Sequence, residues 1–177
     1  MTLVLIAQIV FFGALALLVY TYVGYPVVMF VLSRVYALPV KRINIFPRVS
    51  MIIAAHNEEA DIAAKIENAL ALDYPKDKFE LVVASDCSTD RTDQIVRSYA
   101  AQGVKLYRQK QHLGKTIAQN SAVKITQGEI LLFSDATTMY RPDVVRQIVR
   151  PFADPTVGCV AGQLIYQDRT ATVVGAG

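Results

Sequence analysis

Two apolar runs in this chain end on the same pair of polar residues. Ile130-Leu-Leu-Phe133 runs into Ser134-Asp135, and Leu81-Val-Val-Ala84 runs into Ser85-Asp86 about fifty residues earlier. A continuously apolar run of this length with β-branched or aromatic members reads as a strand buried on both faces, as in a parallel sheet. A carboxylate at the carboxyl end of such a strand lies at the sheet tip, where open α/β folds bind ligands. One such Ser-Asp is explained by a turn or a helix cap. Two of them point to a shared acidic ligand site, with Asp86 and Asp135 ending neighbouring strands.

The rest of the chain after Pro47 supports that sheet. Strands are expected at 49–54, 79–84, 104–107, from 130, and at 157–166. Between them, helical spacing puts Ile62, Ile66, Ala69 and Leu70 on one face of a helix over 59–72, which Pro75 ends. Thr89 or Asp90 caps a second helix that stops near Gly103. A third runs over 115–125, and Pro142 opens a fourth with Val145, Ile148 and Val149 inward. Strand-helix alternation of this kind predicts an α/β domain, a mostly parallel sheet between helices. The last stretch, 170–177, carries no signal.

The opposite end of the chain is different. Met1 to Ser33 contains no charged side chain. As one helix it would extend about 50 Å at about 1.5 Å per residue, more than a bilayer core needs. Either the helix tilts, or it bends near Gly24 and Pro26. It lacks the basic start of a signal peptide and is too long for one. Tyr20, Tyr22 and Tyr25 cluster as an aromatic belt would, and Arg34, Lys41, Arg42 and Arg48 follow. By the positive-inside rule the amino terminus lies outside and the remainder is cytoplasmic, at the plasma (inner) membrane. The expected organisation is a single-pass anchor over 1–37, a basic linker over 38–48, and an α/β domain over 49–177.

Net charge is only +3, and no basic run is interleaved with aromatics, which argues against a nucleic-acid partner. Cys87 and Cys159 have no metal-ligand spacing and suggest a reducing compartment. The first strand leads into Ala54-Ala-His-Asn-Glu-Glu59, without the glycines of a dinucleotide fold. His56, Asn57 and Glu58 read equally as ligand contacts or as a capped helix start. Gly114-Lys115-Thr116 imitates a P-loop, but Gln109 stands where the first glycine belongs. Lys115 remains a candidate for a phosphate or base at a helix amino end, or an ordinary solvated lysine.

In order, Ala55-His-Asn-Glu-Glu59, Ser85-Asp86-Cys-Ser-Thr-Asp90, His112-Leu-Gly-Lys115 and Phe133-Ser-Asp135-Ala-Thr137 resemble the family 2 glycosyltransferases. The likeness is strongest to the membrane-anchored cellulose, chitin and hyaluronan synthase type, and it covers about Val49 to Tyr166. The Tyr22-Val-Gly-Tyr-Pro26 stretch is similar to members as well. The resemblance implies a GT-A fold, a nucleotide-sugar donor, most often a UDP-sugar, and inverting transfer to a carbohydrate or lipid acceptor in polysaccharide biosynthesis. It implies that His56, Asn57, Glu58 and Asp86 line the nucleotide pocket and that Lys115 sits near the base. Asp135 would be the first acid of Asp-x-Asp, facing a divalent metal, Mg²⁺ or Mn²⁺. The second acid is Thr137 here, a poorer hard-metal ligand. No residue matches the family's catalytic base, which is expected beyond Gly177, so the 177 residues alone should bind donor without turnover. A non-catalytic nucleotide-sugar-binding module and a degenerate P-loop NTPase are the alternatives.

Overall fold

The structure is a computed structural model that describes residues 2–36, 39–163 and 165. These form two compact units, one up to Val40 and one from Lys41 onward. The first is a continuous 34-residue helix, Thr2–Val35. It comprises α1 (Thr2–Val19), a π-helical turn (Tyr20–Gly24) and α2 (Tyr25–Val35). The expected disturbance at Gly24 and Pro26 takes the form of that turn. Pro26 has no N–H to donate and its ring crowds the carbonyl four residues back. The ladder shifts there, and the Tyr25 N–H bonds the Tyr20 carbonyl in an i to i−5 step. No residue of α1 or α2 is buried. By length and composition the helix is sufficient to cross a membrane.

The second unit is a four-stranded sheet between helices. Its strands are β1 (Val49–Ala55), β2 (Phe79–Ser85), β3 (Val104–Arg108) and β4 (Ile130–Asp135), in the order β3-β2-β1-β4, all pairs parallel. The helices are α3 (Ile62–Leu70), α4 (Thr92–Ser98), α5 (Lys115–Val123) and α6 (Val144–Val149). The period-two pleat divides the apolar residues of each strand between two cores. Met51, Ile53, Leu81, Val83 and Leu132 face one side with Ile62 and Ile66 of α3, Val96 of α4, and Val145 and Val149 of α6. Ile52, Val82 and Ala84 face the other, against Ala118 and Ala122 of α5. Two alanines on α5 let its backbone lie close to β1 and β2.

The α/β class with a parallel sheet is as expected, but several details differ. Residues 59–61 form a turn, so α3 starts at Ile62; backbone carbonyl of Glu58 and side chains of the neighbouring loop take up the chain there before it coils. β4 is buried on one face only: Leu132 is in the core while Phe133 is 48% exposed, because α5 covers β1 and β2 and nothing described covers β4 on that side. Asp86 and Asp135 do not end neighbouring strands, since β1 runs between β2 and β4. The fifth strand expected over 157–166 is not formed: 157–163 and 165 have no regular structure, and Tyr166 and the 170–177 tail lie outside the described residues. Val157 to Val160 make no strand pairing that would convert their apolar character into a ladder.

One close approach fixes the entry to β4. The Gly128 N–H donates to Ser50 Oγ at 2.8 Å. A Cβ on Gly128 would stand 2.4 Å from the Ser50 backbone nitrogen. Gly128→Ala is therefore expected to lower stability by about 1–3 kcal/mol, the usual cost of overpacking, read as a drop in the denaturation midpoint.

α3 also carries a buried charge. Lys65 is fully buried, its Nζ donates to the Thr138 carbonyl and lies 4.0 Å from the Tyr140 ring centroid. Burial pushes its pKa down to about 8, against a smaller opposing pull from Asp135. The unfolded chain holds the lysine proton up to the ordinary 10.5, so it binds more protons than the fold between those values and stability rises with pH across that window. Against Lys65→Met, the native chain should gain roughly 1.4 kcal/mol per pH unit there, measured by denaturant titrations of both chains.

Candidate functional site

The carboxyl ends of β1, β2 and β4 meet at one edge of the sheet. Ala55 is in register with Ser85, and Ala54 with Asp135. Beyond β1 and β2 the chain makes the same turn twice. Asn57 has φ 56° and Cys87 has φ 58°, both left-handed. Asparagine tolerates that region; for cysteine it costs on the order of 1 kcal/mol. His56 and Asp86 occupy equivalent places just before these residues.

A hydrogen-bond chain fixes His56. The Asp86 backbone carbonyl can only accept, so His56 Nδ1, 2.7 Å away, carries the proton. Its Nε2 is then free to accept from Asn57 Nδ2 at 3.4 Å. Asn57 Oδ1 accepts the Thr89 N–H at 2.8 Å, and the Asn57 N–H donates to Ser88 Oγ at 3.2 Å. Asn57 thus ties the two loops together. The N-cap of α4 is Arg91, not the expected Thr89 or Asp90; Asp90, one residue earlier, accepts the Thr92 N–H with Oδ1 at 2.9 Å.

The Asp86 carboxylate, 3% exposed, is the centre of the edge. Oδ1 accepts from Gln109 Nε2 at 2.8 Å and the Leu113 N–H at 3.0 Å. Oδ2 accepts from the Gly114 N–H at 2.8 Å and lies 2.8 Å from His112 Nδ1, whose hydrogen bond goes to the Asp86 backbone carbonyl at 3.3 Å. Burial pushes its pKa up, but the Leu113 and Gly114 amides, with His112 and His56, hold it below the usual carboxylate value. Gln109, which stands where a P-loop would have glycine, is buried and serves as an anchor for Asp86. The His56 and His112 rings lie over each other with centroids 4.2 Å apart.

At the tip of β4, Lys115 at the start of α5 pairs with Asp135 Oδ1, and both side chains are half exposed. Glu58 lies opposite. Its pKa is raised, chiefly by burial and then by Asp61, Asp90 and Asp135, with His56 opposing. These groups surround a pocket of about 360 Å³ lined by Ala54, Ala55, His56, Glu58, Asp86, His112, Lys115, Ala118, Asp135, Ala136 and Thr137. Of the residues singled out in the sequence, His56, Glu58, Asp86, Lys115 and Asp135 line it. Asn57 supports it from behind. A cleft of similar size, about 350 Å³, lies at the other end of the strands by Ser50, Glu80 and Lys105. Those side chains bond one another there. The carboxyl edge is the better candidate, since ligands of open α/β sheets bind at that end.

Two donor sets differ in the cation they suit. One ligating atom each of His56, Asp86 and His112 lie within 4.8 Å of one another, a nitrogen-rich set for borderline metals. Asp135, with Glu58 and the Thr137 hydroxyl lining the same pocket, is an oxygen set suited to Mg²⁺ or Mn²⁺, which take one or two carboxylates plus phosphate and water. Carboxylate and hydroxyl oxygens of that wall are of the donor type that Mg²⁺ and Mn²⁺ take.

Comparison with known proteins agrees with this geometry. The chain is 36% identical over 119 residues to a beta-monoglucosyldiacylglycerol synthase of Synechocystis, covering 65% of this chain and 25% of that protein. It thus spans about a quarter of that relative's length. The fold matches the mannosyltransferase PcManGT of Pyrobaculum calidifontis, solved with GDP-Man and Mn²⁺, with TM-score 0.70, 31% identity, 81% of this chain and 44% of that one. It also matches residues 1–349 of Staphylococcus aureus TarS in complex with UDP-GlcNAc, with TM-score 0.51, 32% identity, 55% of this chain and 29% of that one. The sequence profile of glycosyl transferase family 2 matches residues 50–173, and the chain belongs to that family, with a GT-A-like glycosyltransferase domain.

Proposed function

We propose that this chain is the donor-binding part of a membrane-anchored, inverting glycosyltransferase that takes sugar from a nucleotide-sugar to a lipid or carbohydrate acceptor, in polysaccharide or glycolipid synthesis. The observation that carries the reading is the pocket at the carboxyl edge. It has an ion-paired end at Asp135 and Lys115 and an imidazole end at His56 and His112. Charged groups beside flat rings are the chemistry that a nucleoside diphosphate would meet. UDP-sugar is the first choice of donor and GDP-sugar the second, in keeping with the nucleotide-sugars bound by the structural relatives. The diacylglycerol synthases among the relatives favour a lipid acceptor.

Roles follow from the contacts. The Asp86 carboxylate already accepts three hydrogen bonds and has the His112 ring against it. It serves the nucleoside by fixing His56, His112 and the Leu113 and Gly114 amides, or accepts from the base once exposed His112 swings aside. Lys115 and Asp135 serve the diphosphate. A divalent metal held by Asp135 would neutralise charge on the departing diphosphate. Glu58, which lines the pocket, faces the ribose on this reading, and Asn57 holds the His56 and Thr89 loops in place behind it. The role proposed for the 177-residue chain is donor binding.

Calorimetry on that chain tests the reading. UDP or GDP is expected to bind better than ATP. Asp135→Asn keeps the shape and removes the charge, and should weaken diphosphate binding about ten- to a hundredfold when Mg²⁺ or Mn²⁺ is present, and little in chelator. Tight Mg²⁺-dependent ATP binding with no response to either nucleoside diphosphate would reverse the assignment.

The apolar Thr2–Val35 helix is read as the anchor, with Arg34 onward in the cytoplasm. Cys87 is half-buried and Cys159 exposed, and both are free. In intact cells neither should react with an impermeant maleimide, and both should after permeabilisation. Labelling of Cys159 without permeabilisation would overturn the orientation.

A further inference from the structure

Lys65 is the least expected charge in the second unit. It is fully buried, it forms no ion pair among the described residues, and it sits in the first turn of α3, the positive end of a helix, where a cation is disfavoured. Its bonds are to the Thr138 carbonyl and the face of Tyr140. An uncompensated buried charge is costly to a fold, and apolar replacement of buried charges is often neutral or stabilising. Asp135 is the carboxylate whose charge reaches it, and Asp135 is already committed to Lys115.

The surroundings show what the charge is next to. Asn68, one turn further along α3, donates to the Tyr140 carbonyl at 2.9 Å and accepts the Tyr140 N–H at 2.8 Å. α3 therefore grips the segment after β4 from the core side at two points, Thr138 and Tyr140. The other side of that segment, at Asp135, Ala136 and Thr137, is pocket wall. The ammonium lies one peptide layer beneath the end of the pocket where the donor diphosphate is assigned.

We propose that Lys65 is a positioning residue for that end of the pocket: it holds the Asp135–Thr138 segment in place through the Thr138 carbonyl, and its buried charge favours an anionic diphosphate above the segment. The inference rests on the donor-binding reading. In a low-dielectric surrounding a charge acts through a peptide layer with little screening. The anion itself supplies the missing counter-charge when it binds.

The test separates charge from packing. UDP, GDP, uridine and guanosine are titrated calorimetrically into the 177-residue chain in detergent, as native, Lys65→Met and Lys65→Gln, with a denaturation curve for each. Lys65→Met should be no less stable than the native chain and should lose about tenfold in diphosphate affinity, with nucleoside affinity within about twofold of native. Lys65→Gln keeps a donor for Thr138 and drops the charge, so it should show the same split and guards against a Met variant that fails to fold. A purely structural lysine would lower stability and weaken nucleoside and diphosphate together, which would overturn the proposal. So would native diphosphate affinity in both variants. If the native chain binds neither diphosphate, the donor-binding reading falls first and this inference with it.

Discussion

The buried carboxylate of Asp86 organises the ligand edge of this domain. Burying it is favourable only because donors of the β3–α5 connection converge on it: Gln109 after β3 and the Leu113 and Gly114 amides ahead of α5, with the His112 ring beside them. The same residue offers its backbone carbonyl to His56 after β1. One side chain thus pins the β3–α5 connection against the β1 and β2 tips. Replacing it with an apolar residue would leave two backbone amides and an amide side chain without partners. The position of Lys115 follows from this, because the anchored Gly114 is where α5 begins.

The third wall of the pocket is held differently. The segment after β4 has no carboxylate hub. It is gripped from below by Lys65 and Asn68 of α3, and from the pocket side Lys115 reaches Asp135. The imidazole end of the pocket is therefore built on a buried anion, and the other end on cations around a single half-exposed carboxylate.

Much of this was legible in the sequence. Continuously apolar runs ending in Ser-Asp identified β2 and β4, and alternation with helical periodicity identified the parallel α/β domain, because burial on a sheet or helix face imposes a local repeat. The ordered motifs indicated the family before any geometry was known. The unbroken Thr2–Val35 helix was readable in outline from the lack of charge, though the π turn at Tyr20–Gly24 was not, since it depends on how the ladder steps around Pro26.

What the sequence by itself determined were the types of the central elements, and, through the resemblance of its ordered motifs, the family and five of the residues that line the pocket. Tertiary structure decided the rest. Strand order is not written in local periodicity, so only the fold shows that β1 separates Asp86 from Asp135 and that Phe133 is exposed on an edge strand. Gln109 read as a missing glycine, and its bond to Asp86 arises from parallel pairing of β2 and β3. Nothing local in the sequence singles out Lys65. Its burial under the Asp135–Thr138 segment depends on α3 packing across the sheet, a contact between residues about seventy positions apart in sequence, which no local pattern encodes.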